Sequence, residues 1–119
     1  MANDGLENWE TQLRKGWLDV AILGTLWNGR QYGLEILREA ESRAELVIAE
    51  GTLYPVLTRL RKEGLIEGKW EESESGHPRR YYELTAAGRS RAQALAKYSH
   101  EFFSKMDALI RPLLKEQTR

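Results

Sequence analysis

The stretch that decides the fold of this chain is Glu50-Gly-Thr-Leu-Tyr-Pro-Val-Leu-Thr-Arg-Leu-Arg-Lys-Glu-Gly-Leu-Ile66. Apolar residues recur in it at helical spacing, which predicts a short helix with one buried face. That face comprises Leu53, Val56, Leu57 and Leu60. The opposite face and its flanks are polar, aromatic or cationic, and carry Thr52, Tyr54, Pro55, Thr58, Arg59, Arg61 and Lys62. Such a face suits phosphates and base edges, whereas a purely structural surface helix more often carries Glu–Lys pairs.

Proline and glycine set the expected ends of this helix. Pro55 lacks a backbone N–H, so we expect it in the first helical turn, where that hydrogen bond is not needed. Gly64 is expected to end the helix, because a glycine readily adopts the left-handed conformation that follows a helical C-terminus.

Hydrophobic periodicity predicts helices on both sides of this stretch. Upstream, the pattern predicts one helix from about residue 8 to 27 and a second from Tyr32 to just before Arg43. A very short extended segment is expected at residues 46–48. Downstream, Thr85 is expected to cap a long helix that starts at Ala86 and that Pro112 ends or bends.

A β-hairpin is predicted between these helices. Residues 65–73 and 79–85 are strand-like, and residues 74–78 are rich in the Ser, Gly and Pro typical of turns. We expect Trp70 and Tyr82 to pack the hairpin onto the helices, with stacking on bases as the alternative.

The order of these elements is that of a winged helix-turn-helix. The predicted fold is mainly α with a small β-hairpin (α+β), formed by a single domain at residues 1–119. Within it, residues 1–28 form an N-terminal helix shared between core and dimer interface. Residues 29–85 form the winged helix-turn-helix, with a recognition helix at about 50–64 and a wing at about 65–85. Residues 86–116 form a C-terminal dimerisation helix.

Composition narrows the class of protein. The chain has 119 residues, no cysteine and a net charge of zero. No signal peptide and no stretch of 18 apolar residues is visible, so we expect a cytoplasmic protein without a membrane partner. Zero net charge argues at first against nucleic acid, but residues 76–91 carry four bases against one acid. The alternative is that such charge clusters are ordinary solvated faces.

No enzyme signature is present in the sequence. The two histidines, His77 and His100, lie in a turn and in the last helix, and no phosphate loop, zinc spacing or nucleophile elbow occurs. The acidic residues at 71–74 lie in a turn that makes a poor metal cage. We therefore expect no catalytic residues, no metal and no cofactor.

Both terminal helices have apolar stripes wider than a small core needs, which favours an isologous homodimer. The alternative is that the stripes cover only their own domain. The expected dimerisation residues are Leu6, Leu13, Leu95, Phe103, Leu109, Ile110 and Leu113. Aromatic walls for a planar effector are expected from a second set, with ordinary dimer core as the alternative. This effector-pocket set is Trp9, Trp17, Tyr98, Phe102 and Met106.

Residues 51–66, together with the hairpin segments Lys69-Trp-Glu-Glu-Ser73 and Arg79-Arg-Tyr-Tyr-Glu-Leu-Thr-Ala-Ala-Gly88, resemble PadR-like transcriptional regulators. Residues 16–26 and 32–36 resemble the first two helices of that family, and the short C-terminal part resembles its small subclass. The resemblance implies a homodimeric DNA-binding regulator, most often a repressor, that releases DNA when a small, often aromatic, molecule binds. Ala49 departs from the pattern, because a serine-like cap is common there.

The expected partner is therefore double-stranded DNA carrying an inverted-repeat operator. Strand alternation sends Arg79 and Arg80 to opposite faces of the wing, so one can bind DNA while the other pairs within the protein. Tyr32 is either a phosphate contact or a partly buried aromatic. The expected DNA-binding residues are Tyr32, Thr52, Tyr54, Pro55, Thr58, Arg59, Lys62, His77, Arg79 and Arg80. The alternative function is a winged-helix module that binds protein without DNA.

Overall fold

The computed structural model describes residues 4–116. The two ends of the predicted domain, residues 1–3 and 117–119, lie outside the described residues. Its elements are α1 (Asp4–Thr25), β1 (Gln31–Tyr32), α2 (Gly33–Ala44), α3 (Glu50–Lys62), β2 (Ile66–Glu72), β3 (Pro78–Leu84) and α4 (Ala86–Glu116). These four helices and the small antiparallel sheet confirm the predicted winged helix-turn-helix fold. Helix α3 occupies the recognition position, and β2 and β3 form the wing.

The sheet has three strands in the order β1-β3-β2. The wing hairpin pairs Ile66 with Leu84 at its base and Glu72 with Pro78 at its outer end. The third strand is β1, which pairs with β3 through Gln31 and Tyr32. The very short extended segment expected at residues 46–48 does not form a strand within residues 4–116, because no other strand lies beside it. Its alternating burial comes from packing of Leu46 and Ile48 against the core while Val47 stays exposed.

The core fixes the orientation of α3. Leu53, Leu57 and Leu60 are almost fully buried against apolar residues of α1, α2 and the base of the wing, as predicted. Val56 is half-buried and packs at the edge of the same cluster. Because one side of α3 is committed to this core, its other side must face solvent.

The start of α3 differs from the prediction. The helix begins at Glu50 after Ala49, which contributes no side-chain cap, and Pro55 therefore lies in the second turn rather than the first. A proline there leaves the carbonyl of Gly51 without its helical N–H partner. Pro55 is exposed, so water can satisfy that carbonyl. The other end agrees with expectation, since Gly64 has a φ of +77° just beyond the helix.

The two terminal helices are long and lie side by side over part of their length. Helix α1 ends at Thr25, two residues before the predicted end, and α4 continues through Pro112 to Glu116. Thr85 caps α4 as predicted, because its hydroxyl oxygen accepts the N–H of Gly88 at 3.0 Å. Helix α4 has 31 residues and is therefore roughly 46 Å long, so its C-terminal half projects from the core. No helix within residues 4–116 has the length and apolar character needed to cross a bilayer.

Gly88 provides a test of the packing between α4 and the wing. A Cβ at this position would overlap the carbonyl oxygen of Leu65. We expect Gly88→Ala to lower the free energy of unfolding by about 2 kcal/mol, as overpacking of a rigid backbone does. Gly16→Ala is the matched control, because Gly16 lies in α1 with open space around it, and alanine there favours the helix. Urea unfolding of both variants checks this, and equal midpoints would contradict the close packing at Gly88.

Candidate nucleic-acid interface

The exposed face of α3 presents the hydroxyl and cationic residues expected from the sequence. Thr52, Tyr54, Pro55, Thr58 and Lys62 are all exposed on the side opposite the buried leucines. Lys62 has no ion-pair or hydrogen-bond partner among residues 4–116. The surface can therefore offer donors and a free positive charge to an approaching polyanion.

Tyr54 lies against the beginning of α2 instead of extending freely into solvent. A Cβ at Gly33 would lie 2.9 Å from Cζ of Tyr54, so the ring needs a glycine at that position. The residue remains 43% exposed. Burial is the main cause that raises the pKa of the Tyr54 hydroxyl, followed by the negative charge of Glu50 and by Tyr82. The hydroxyl is therefore a protonated donor at neutral pH.

One face of the wing carries a column of stacked cations and aromatic rings. The guanidinium of Arg79 lies 4.4 Å from the centroid of the Tyr32 ring. Tyr32 meets Tyr81 edge-on at 5.5 Å, and the Arg30 guanidinium covers Tyr81 at 4.6 Å. Arg30 also pairs with Glu71. Tyr32 is half-buried in this column, which holds Arg79 beside the start of α2.

Arg80 lies on the other face of the hairpin, as strand alternation predicts. Its guanidinium is 5.9 Å from the ring centroid of Trp70 and 5.8 Å from that of Tyr82. Gly68 lets the side chain lie close to the backbone, since a Cβ there would be 2.6 Å from Nε of Arg80. That Nε is buried and has no hydrogen-bond partner among the described residues.

Trp70 and Tyr82 have different environments, although both were expected to pack on the helices. Tyr82 is 6% exposed and belongs to the core, which agrees with the expectation. Trp70 is 68% exposed, so the expectation is wrong for this residue. The reason is length: the hairpin continues past the body of the domain, and Trp70 pairs with Arg80 in that outer part.

A cleft separates the wing from α3 and the start of α2. It has a volume of about 370 Å³. Its walls are aromatic and cationic, formed by Tyr32, Gly33, Tyr54, Trp70, Pro78, Arg79, Arg80 and Tyr82. The tertiary structure thus brings four of the expected DNA-binding residues, Tyr32, Tyr54, Arg79 and Arg80, to one cleft.

Arg59 and His77 are two of the expected contacts that lie apart from this cleft. Arg59 donates to Asp19 of α1 at 2.6 Å and to Glu63 at 3.3 Å. The hydrogen bond to Asp19 is the main cause that raises the pKa of Arg59. A phosphate contact by Arg59 would have to compete with both carboxylates. His77 is exposed at the tip of the wing, where its carbonyl accepts the hydroxyl of Ser73 at 2.6 Å.

Two cations near the start of α3 were missed by the sequence analysis. Arg14 and Lys15 of α1 line a cavity of about 220 Å³ together with Ala49 and Thr52. Arg14 also pairs with Glu10 at 3.4 Å. No local signal relates residues 14 and 15 to residue 49, because only the packing of α1 brings them together.

Three of the expected effector-pocket residues belong to two stacked aromatic pairs along α1 and α4. Trp17 stacks on Phe103 at 5.0 Å, and Tyr98 stacks on Phe102 at 6.1 Å. Met106 is half-buried, and Trp9 is largely exposed. A neighbouring cavity of about 300 Å³ lies between the two helices but has a different lining. It is formed by Val20, Gly24, Trp27, Asn28, Arg43, Ala92, Gln93 and Ala96.

The expected dimerisation residues are exposed, with one exception. Leu95 packs against the protomer's own core, so it is not a surface residue of α4. The others leave a broad apolar surface on the outer parts of α1 and α4. They are Leu6, Leu13, Phe103, Leu109, Ile110 and Leu113.

Known proteins are similar to this chain in both sequence and fold. The family model of the transcriptional regulator PadR-like family matches residues 22–114. The chain is similar to a PadR-like transcription factor from Bacteroides fragilis, with 36% identity, a TM-score of 0.69, and coverage of 86% of this chain and 98% of that one. It is also similar to a PadR-like transcriptional regulator from Bacillus cereus, with 29% identity, a TM-score of 0.76, and coverage of 84% and 97%. An uncharacterized protein from Lysinibacillus sphaericus is 35% identical over 85 residues, which are 70% of this chain and 78% of that protein.

The environment of Tyr54 generates a pH dependence. Because folding raises the pKa of this hydroxyl above its ordinary value of 10.0, the stability it contributes is present below that value and is lost as the pH rises through the raised pKa of the folded protein. We therefore expect the free energy of unfolding to fall more steeply with rising pH above the ordinary pKa of 10.0 in the wild type than in Tyr54→Phe. Urea unfolding across this range measures the difference, and parallel profiles would contradict the proposed environment of Tyr54.

Proposed function

Because the chain belongs to the PadR-like family of transcriptional regulators, we propose that it is a homodimeric repressor that binds an inverted-repeat operator. This family comprises transcription regulators that bind DNA, not enzymes. The observation that carries the proposal is the exposed donor-rich face of α3 beside a cationic cleft at the wing. A transcription regulator must reach the chromosome, and we therefore propose a cytoplasmic location for this protein.

In this proposal α3 enters the major groove. Thr52, Tyr54 and Thr58 supply hydroxyls for phosphates or base edges, and Lys62 supplies a charge for the backbone. Pro55 offers an exposed apolar surface that suits a thymine methyl group. The N-terminus of α3 has no side-chain cap, so its first N–H groups are available to a phosphate oxygen.

The wing supplies the second contact region. Arg79, Arg80 and His77 are positioned to reach a minor groove or its phosphates beside the recognition helix. The stacking of Arg79 on Tyr32 limits the rotamers of both side chains, so less conformational entropy is lost when a phosphate binds. Tyr32 acts in this arrangement by positioning Arg79 and by lining the cleft.

Capture of genomic fragments by the purified protein at constant salt tests the function. Enrichment of a few inverted-repeat sites supports a dimeric DNA-binding regulator. Absence of any enriched DNA would favour the alternative, a winged-helix module that binds protein.

On a captured fragment, we expect Arg79→Ala to weaken binding and to reduce the slope of log affinity against log salt by about one unit, because one phosphate contact is lost. Arg111→Ala is the matched control, since it removes the same charge from the outer part of α4, where Arg111 pairs with Asp107, and its sedimentation must equal that of the wild type because this part of α4 also carries the proposed dimer surface. Fluorescence anisotropy at several salt concentrations measures both variants. An unchanged affinity and slope for Arg79→Ala would remove this residue from the interface.

A homodimer is supported by the apolar surface on the outer parts of α1 and α4. Exposed aromatic and aliphatic side chains of this number are uncommon on a monomer of this size and mark interaction sites. A second copy of the same surface would bury them in an isologous interface and would place two recognition helices on the two halves of one operator.

A charge within that surface should prevent dimerisation. We expect Leu109→Glu to sediment as a monomer, because a carboxylate in an apolar interface cannot be solvated. Leu34→Glu is the matched control, since Leu34 is also an exposed leucine but lies on α2. Analytical ultracentrifugation distinguishes the two, and a Leu109→Glu dimer of wild-type stability would place the interface elsewhere.

The proposed repressor responds to a small, planar effector. Two features support this: the stacked aromatic pairs between and along α1 and α4, and the cavity next to them. An effector releases DNA only if it binds the DNA-incompetent dimer more tightly than the competent one. A change in the separation of the two recognition helices would provide that difference in affinity. The effector proposal is contradicted if no planar aromatic compound changes the affinity of the dimer for its operator.

A further inference from the structure

The wing carries a tryptophan, Trp70, that is largely exposed and does not belong to the hydrophobic core. Trp70 lies on the same face of the hairpin as the buried Ile66 and Tyr82, because residues two apart in a strand share a face. That face packs on the core at the base of the wing and overhangs the cleft farther out. A tryptophan left 68% exposed at such a position keeps a large flat apolar surface in water.

Trp70 and Arg80 form one unit across the two strands. They are directly paired in register, and the Arg80 guanidinium lies between the rings of Trp70 and Tyr82. Gly68 gives Arg80 the room to lie flat against β2. The Nε of Arg80 is buried beside Gly68, but the residue as a whole is only half-buried, so an acceptor from outside the protomer can approach the accessible part of its side chain.

The chemistry of this unit matches a sugar–phosphate backbone. A cation next to a flat apolar ring suits a group that is anionic on one side and apolar on the other. Deoxyribose next to a phosphate has that character, and the walls of the minor groove are made of it. The cleft below the unit opens between the wing and α3, which is the side that the proposed function turns toward DNA.

We propose that Trp70 contacts DNA, packing its indole on a deoxyribose at the minor groove while Arg80 binds the adjacent phosphate. This inference rests on the proposed function and adds a non-ionic contact to it. Sugar contacts carry no sequence information, so Trp70 contributes equally to binding of operator and of unrelated duplex.

The test compares wild type, Trp70→Ala and Trp70→Phe on a captured operator fragment and on a random duplex of the same length. We expect Trp70→Ala to weaken binding roughly tenfold on both duplexes, because its apolar contact area is lost. The salt slope stays unchanged, since no cation is removed. Trp70→Phe retains part of the affinity. Saturating DNA quenches tryptophan emission more in the wild type than in Trp70→Phe, whose remaining tryptophans, Trp9, Trp17 and Trp27, lie in or just after α1.

Each outcome bears on one conclusion. If a folded Trp70→Ala variant binds both duplexes with unchanged affinity, the inference about Trp70 is overturned and the proposed function is not. A loss of affinity for the operator only, or a flatter salt slope, overturns the same inference. Thermal unfolding establishes that the variant is folded, and if it is not, the difference in quenching between wild type and Trp70→Phe decides the question. A wild-type protein that binds neither duplex overturns the proposed function and this inference with it.

Discussion

The structure depends on the burial of one face of α3. Leu53, Leu57 and Leu60 fill the space between α1, α2 and the base of the wing, and they are almost inaccessible to solvent. A rotation of the helix about its axis would expose these side chains and bury polar ones, which costs several kcal/mol. The same three residues therefore hold the domain together and determine which side chains α3 presents outward. Stability and the orientation of the proposed DNA-binding face have one cause.

In the wing, strand alternation likewise determines which side chains pack on the core and which face outward. Its inner face anchors the hairpin through Ile66 and Tyr82 and then continues beyond the core as Trp70 and Arg80. Its outer face places Arg79 on Tyr32, which β1 adds to the edge of the sheet. Both arginines are thus held by aromatic rings rather than by carboxylates. Cation–π contacts restrict a guanidinium without neutralising it, so its charge stays available to a phosphate. Arg59 differs, because Asp19 and Glu63 already balance its charge.

Each of the two terminal helices has one part that packs on the core and a distal part that extends beyond it. Ile22 and Leu23 of α1 are buried, and Leu95 of α4 packs against the same core, whereas the distal parts of both helices keep large apolar side chains in solvent. A protomer with this distribution is suited to a second copy that covers the distal parts. Trp17 and Phe103 already join α1 to α4 within one protomer. In the proposed function, a change in the angle between these helices would move α3 and would give the proposed effector a mechanical route to the recognition helix.

The sequence by itself determined the features that depend on neighbours along the chain. These include the buried face of α3, the glycine that follows it, the cap at Thr85, the hairpin and the family resemblance, since periodicity and turn chemistry are local. Tertiary structure alone decided the pairing of Gln31 and Tyr32 with β3, the exposure of Trp70, the ion pair from Arg59 to a residue 40 positions away, and the packing of Leu95 inward. It also decided that α3 starts early enough to place Pro55 in its second turn. Each of these features depends on which surfaces of elements far apart in the sequence come into contact. The residue pattern within one element does not predict those contacts.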